Sequence, residues 1–267
     1  LDLRQRRFTS NDSSLLAVNE TEHRYGVEMT RHGQSLDARL RVDQRSLFGY
    51  RNTDLAVTLE GRPGADWGWI WSYQWQAASD ETSQLLLGGQ RTGQQLELYW
   101  TPASNWQTSV SWSGYDYESL NQDALGQGDL ITAQATWRPW LSRFSPGVRL
   151  RHSRGLFDDQ RPLGSDIDVM QPGAENIAAV PEDYYETEVS LLLGLPEPHI
   201  RAHRLQGWGE LGMVENSISG RGFTARFGVQ GPLLGRDAWR LYVERSLNTG
   251  GAEEDSQRLG LDYRFYY

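Results

Sequence analysis

Cysteine is missing from all 267 residues. An exported chain of this kind folds without disulfides and carries no free thiol into an oxidising compartment. Long apolar runs are missing too: the apolar stretches are short pieces such as Leu191-Leu192-Leu193, against the ~18 uninterrupted residues that a spanning helix needs. Mean hydropathy is negative, and a helical membrane protein is excluded. Any membrane solution must then satisfy its backbone groups between strands, in a closed barrel. Basic residues are in short supply, 26 Lys and Arg against 35 Asp and Glu, for a net charge of -9. That balance argues against nucleic acid as a partner, because a polyanion requires Lys and Arg clustered on one face. Residue 1 is Leu and no apolar leader follows, so the chain reads as the processed or excised C-terminal part of a longer exported protein.

What the chain does have is aromatic side chains in period two. Eleven Trp and twelve Tyr are the material of the aromatic girdles at two membrane interfaces. Trp67, Trp69, Trp71, Tyr73 and Trp75 alternate with Gly68, Ile70, Ser72 and Gln74. Leu36, Ala38, Leu40 and Val42 alternate with Asp37, Arg39, Arg41 and Asp43, and Leu55, Val57 and Leu59 with Asp54, Ala56, Thr58 and Glu60. Period-two alternation is the mark of strands with two unlike faces. A soluble sandwich hides one apolar face, but lipid is the environment that tolerates five large aromatics in a row on one face. Every second residue then lines a polar lumen, which accounts for the low hydropathy.

Proline marks the turns. Pro63 precedes Trp67, Pro102 precedes Trp106, Pro139 precedes Phe144 and Pro232 precedes Trp239, with Pro196 a weaker member. Proline cannot donate to a ladder and sits at strand ends. Short turns on one side and longer loops on the other are typical of outer-membrane barrels, so the proline turns are placed in the periplasm. The pattern predicts up strands near 3–9, 35–46, 67–77, 106–115, 145–154, 200–214 and 237–247. Down strands fall near 24–31, 53–61, 93–100, 129–137, 184–194, 221–230 and 257–267. The expectation is an all-β, antiparallel transmembrane barrel forming one domain over 1–267, with fourteen strands and both termini periplasmic. Sixteen is the alternative count, because Leu85-Leu86-Leu87 leaves the region 78–92 open.

The last nine residues alternate Leu259, Leu261, Tyr263, Phe265 and Tyr267 with Gly260, Asp262, Arg264 and Tyr266. Ending on an aromatic resembles the terminal-strand signal by which outer-membrane barrels are recognised for insertion, with Tyr263, Phe265 and Tyr267 as its residues. Changing Phe265→Ala together with Tyr267→Ala is therefore expected to cut the yield of heat-modifiable barrel while synthesis is unchanged. A normal yield of barrel from that variant would disprove the signal.

Alternation points Glu28, Asp37, Asp43, Asp54, Glu60, Glu97, Glu186, Glu188, Glu210, Glu244 and Asp262 into the lumen. Arg39, Arg41, Arg149, Arg151, Arg226, Arg240, Arg258 and Arg264 point the same way, giving a mixed wall in which many charges serve as cross-strand pairs. The segment 155–183 shows no sustained alternation and holds Pro162, Pro172 and Pro181. It reads as a long outer loop that folds toward the lumen as a gate, since loops of this length are usually functional or disordered. Its acids are Asp158, Asp159, Asp166, Asp168, Glu175, Glu182 and Asp183, against Arg161 alone, and Glu253, Glu254 and Asp255 follow in the last outer loop. The proline side carries Arg138, Arg143, Arg201, Arg204 and Arg236.

A barrel with acidic outer loops, no plug domain and the Tyr263-Phe265-Tyr267 ending resembles the C-terminal barrels of exopolysaccharide export porins of the PelB type. The resemblance implies periplasmic tetratricopeptide repeats ahead of the barrel and a lipoprotein partner at the periplasmic mouth. It also implies export of a partly deacetylated, cationic amino-sugar polymer, which an acidic exit would attract. Outer-membrane lipid and lipopolysaccharide surround such a barrel. The competing readings are a general small-solute porin and an outer-membrane lipid- or glycan-modifying hydrolase. Against the hydrolase, His152 and Ser153 fall on opposite faces of one strand, and no orienting acid pairs them. Glu186 and Glu188 stand at i and i+2 on one strand and read as lumen acids. His199 and His203 have no Cys or spaced carboxylate beside them, His23 and His32 stand alone, and Gly88-Gly89 is not followed by Lys. No catalytic residue, metal site or cofactor is expected.

Overall fold

The strands close on themselves in a computed structural model that describes residues 2–10, 18–47, 49–79, 82, 85, 88–140, 145–162, 178–194, 205–232, 237–247 and 255–265, with the backbone alone for β1, residues 18–21 and 237–238, and most of β14. There are fourteen: β1 (Asp2–Ser10), β2 (Val18–Arg31), β3 (Leu36–Leu47), β4 (Tyr50–Gly61), β5 (Trp67–Ala78), β6 (Gly89–Ala103), β7 (Trp106–Ser119), β8 (Ala124–Trp137), β9 (Gly147–Asp158), β10 (Tyr184–Leu193), β11 (Gln206–Asn216), β12 (Gly220–Gly231), β13 (Asp237–Leu247) and β14 (Asp255–Phe265). Each pairs antiparallel with its neighbours in sequence, and β1 meets β14 at Asp2↔Arg264 and Leu3↔Tyr263. Both ends of the described chain therefore lie at one end of the barrel, the end that holds the proline turns.

Burial is inverted relative to a water-soluble fold. Among the described residues, eighteen buried side chains are polar or charged and twelve are apolar, while Leu96, Leu98, Leu211, Met213, Leu259 and Leu261 stand exposed. Contiguous exposed apolar surface on this scale is what lipid covers. At the proline end Trp67 is paired with Trp100, and Trp106 with Trp137, whose rings lie 6.3 Å apart. All four are exposed and form one girdle with Trp239, which pairs with Tyr263. Trp75 belongs to the other end of β5, opposite Leu55.

Several boundaries differ from the expected ones. The strand expected from 93 begins at Gly89, so part of the open region 78–92 belongs to β6. A bulge between Gln74 and Ala77, with Gln76 at φ 51°, absorbs the change of register there. β8 starts at Ala124 rather than 129, and β9 stays in the wall to Asp158 rather than leaving it at 154. That extension follows from alternation the loop assignment passed over: Ser153, Gly155 and Phe157 face in, while Leu156 and Asp158 face out and pair with Asp129 and Gln127. The strand placed at 200–214 begins at Gln206, and 200–204 lie outside the described residues. Loop lengths are also less one-sided than expected. β3 and β4 are joined by residues 48 and 49 alone, with Gly49 at φ 78°, and the long connections at that end are 79–88 and 159–183.

Candidate functional site

Inside the wall, acids and arginines from neighbouring strands are matched. On the β2–β4 side the Arg24 Nη2 lies 2.6 Å from Asp43 and 2.9 Å from Asp54. Arg41 Nε lies 2.7 Å from the same Asp43 oxygen, Arg45 is 3.7 Å from Glu22 and Arg39 is 3.5 Å from Glu28. On the far wall Glu188 accepts from Ser190 Oγ (2.6 Å) and Thr224 Oγ1 (2.8 Å), with Arg149 and Arg151 3.5 and 3.8 Å away. Arg149 also pairs with Glu210, Arg226 with Glu244 at 2.5 Å, and Glu186 accepts from Asn216 at 3.1 Å. Near the proline end Glu60 binds Arg62 at 2.6 Å and accepts from the Tyr99 hydroxyl at 3.2 Å. The hydrogen bond and charge of Glu60 raise the Arg62 guanidinium above its ordinary pKa. Asp37 accepts from Gly33 N at 3.1 Å and lies 3.4 Å from His32.

Ten of the eleven acids that alternation points inward have described side chains, and nine of them find a partner in this way. Glu97 is the exception, half-buried on β6 opposite Ser111 with no ion pair or hydrogen bond among the described residues. Asp262 is on β14 with its side chain outside the described residues. Glu22, Arg24 and Arg45 belong to the same buried network, and the alternation of β2 and β3 carried their inward signal. Buried pairs of this kind are costly to break, because each partner alone is a desolvated charge.

At the end opposite the proline turns, described residues of two connections join the wall in an apolar cluster. Leu85, from connection 79–88, and Ala179 and Val180, from connection 159–183, are at most 2% exposed. They pack with Tyr115 and Tyr117 of β7, Leu120, Leu125 of β8 and Phe157 of β9. Tyr50 of β4 and Tyr184 of β10 pack against the cluster. Gly128 makes room for it, since a Cβ there would lie 2.4 Å from the Phe157 ring. Gly126 does the same at φ +149°, where a Cβ would be 2.8 Å from Val180. The two connections are latched: Thr82 Oγ1 donates to the Ala179 carbonyl at 2.7 Å and accepts from Leu85 N at 3.1 Å. Segment 159–183 is stitched to its own base by Gln160 Nε2 to Pro181 O (2.7 Å), and to β8 by Arg161 N to Leu125 O (2.8 Å).

The described part of the loop packs inward through Ala179 and Val180, and the four described acids of the expected passage are not in that cluster. Asp158 is the last residue of β9 and faces outward beside Asp116 and Asp129, in a cleft of about 280 Å³. Asp159 and Glu182 are exposed. Asp183 is exposed as well, and its Oδ1 accepts from Phe157 N at 2.7 Å, a structural bond. Asp166, Asp168 and Glu175 lie outside the described residues, as does Tyr267; Tyr263 and Phe265 are described by backbone alone. The physical reason is desolvation: a carboxylate moved into an apolar cluster without a partner costs far more than Val180 does. Sequence reasoning missed Leu85 and Val180 as site residues. Arg138 on the proline side donates to Gly194 O at 3.0 Å and to Ser145 O, bracing two turns.

His152 faces outward against Thr187 Oγ1 at 2.9 Å, while Ser153 faces the lumen 3.0 Å from Thr132. The two are not brought together, and His199 and His203 lie outside the described residues.

A family model described as the PelB C-terminal β-barrel domain matches residues 1–266. The chain belongs to that family. Among solved structures it is similar to a bacterial polysaccharide outer membrane secretin, with TM-score 0.68 and 8% identity over 100% of this chain and 98% of that one. It is also similar to the CymD monoaromatic hydrocarbon channel, with TM-score 0.51 and 8% identity over 100% and 88%. At those identities the likeness is one of fold. No curated relative matches the sequence. Membership of the PelB barrel family places the chain in the bacterial outer membrane as a polysaccharide-export or porin-type channel.

Proposed function

We propose that this PelB-family barrel exports an exopolysaccharide, a cationic amino-sugar polymer, and that it rests closed. The observation that carries the reading is the apolar cluster of Leu85, Ala179 and Val180 at one end of a barrel whose buried side chains, among the described residues, are mostly polar or charged. A general porin serves steady diffusion and keeps its mouth open. An exporter serves a polymer made only at times, and a displaceable stopper keeps the outer membrane tight between those times. The proline end is the periplasmic mouth in this reading. A lipoprotein partner there, and a helical-repeat region ahead of Leu1, would deliver the polymer. Wall charges largely cancel in pairs, so cationic preference falls to whatever acid is left unmatched. Removing the gene from a strain that makes a partly deacetylated amino-sugar polymer is expected to bring surface polymer down to background and to strand polymer in the periplasm. Secretion at the parental level would sink the export reading and favour the small-solute porin.

A further inference from the structure

The lumen wall has two unlike sectors. From β2 to β4 and from β9 to β13 its acids are held by arginines or by amide and hydroxyl donors. Between them, the lumenal positions of β5, β7 and β8 along the span are uncharged: Ser72 on β5, Ser109, Ser111 and Ser113 on β7, Thr132 and Gln134 on β8. On β6, in the middle of this sector, stands Glu97. Its register partners are Ile70 and Ser111, neither of which is a cation, and the nearest lumenal residues along its own strand are Gln95 and Tyr99. The same sector ends beneath the stopper, since Tyr115 and Tyr117 of the apolar cluster continue the lumenal face of β7.

Resting on the export reading above, we propose that Glu97 is the specificity-determining contact of the lumen. Its carboxylate engages the ammonium group of a passing amino sugar, while the hydroxyls and amides of the β5–β8 wall exchange hydrogen bonds with the neutral rest of the chain. A matched acid is a poor contact for such cargo. Glu188 already holds two hydroxyl donors and two arginines, and an ammonium would have to displace them. Among the described residues Glu97 has no such partner, and neither of its register partners is a cation. A mobile polymer is also better served by a single weak ionic contact in a hydroxyl-lined path than by a continuous row of free acids, because conduction requires binding that releases as readily as it forms.

The test is equilibrium binding to the purified full chain in micelles, by calorimetry, with two probes: a glucosamine hexamer at a pH that keeps it protonated, and its fully N-acetylated counterpart. Glu97→Gln is expected to weaken the glucosamine hexamer about tenfold, the scale of one charge pair partly shielded by water, and to leave the N-acetylated hexamer unchanged. Glu244→Gln, which removes a matched acid, is expected to change neither, and heat-modifiable mobility confirms that each variant is folded. Unchanged binding of the glucosamine hexamer to Glu97→Gln would overturn the assignment, as would an equal loss for both probes. If the unsubstituted barrel binds neither hexamer, the export reading falls and takes this inference with it, a result distinct from a failure confined to Glu97.

Discussion

A barrel carrying Leu85→Ser and Val180→Ser is expected to pass a sustained current in planar bilayers where the unsubstituted barrel is mostly silent. Both side chains are buried in the stopper, at 0% and 2% exposure. Replacing both forfeits roughly 3 kcal/mol of apolar burial, which corresponds to about a hundredfold change in the ratio of closed to open states. The substitutions act on loop residues and leave the ladders of all fourteen strands untouched, so heat-modifiable mobility should be preserved. Thr82→Val, which removes the hydroxyl that bonds the Ala179 carbonyl and Leu85 N but leaves the apolar cluster in place, is expected to open the channel less. Asp158→Asn with Asp159→Asn is expected to leave conductance and ion selectivity where they were, because Asp158 faces away from the lumen and Asp159 is exposed outside the apolar cluster. A silent double-serine variant that is correctly folded would mean that the cluster is not what closes the mouth. A marked fall in cation selectivity from the aspartate pair would restore the acidic-gate expectation.

The architecture was readable because a barrel in lipid writes its pattern residue by residue. Trp67 to Trp75 and Leu36 to Val42 give the face of every position along their strands with no knowledge of partners, and proline fixed most of the turns. Partners were not readable in the same way. Glu97 and Glu188 look alike in the sequence, each an acid in an alternating strand. What separates them is register: Glu97 falls opposite Ser111 and Glu188 opposite Arg151. A shift by two residues would keep every face and exchange every partner. The stopper was hidden for a related reason. Leu85 and Val180 meet across 95 positions of sequence, and nothing local to either marks the contact. Overall acidity of 155–183 pointed to a charged gate, yet among its described loop residues the part that packs inward is the short neutral run Ala179-Val180-Pro181, favoured by desolvation cost.

The matched acids should behave as structural members, and Asp43 is the sharpest case. Its side chain is almost fully buried and serves both Arg24 and Arg41, while Gly26 on β2 lies directly opposite, where a Cβ would come within 1.7 Å of Oδ1. Asp43→Ala leaves two guanidinium groups facing each other across the removed carboxylate, with Asp54 able to reach only Arg24. Breaking a buried pair in this way costs about 3 to 5 kcal/mol. Gly26→Ala is expected to act in the same direction by pushing Asp43 out of its site. Glu97→Gln strands no described cation and keeps the size of the side chain, so it should stay within about 0.5 kcal/mol of the parent. Denaturant unfolding of the three variants in micelles, followed by loss of heat-modifiable mobility, checks the ordering. An Asp43→Ala barrel as stable as Glu97→Gln would show that the arginines find other partners in the lumen. The division of the wall into structural and free acids would then have to be abandoned.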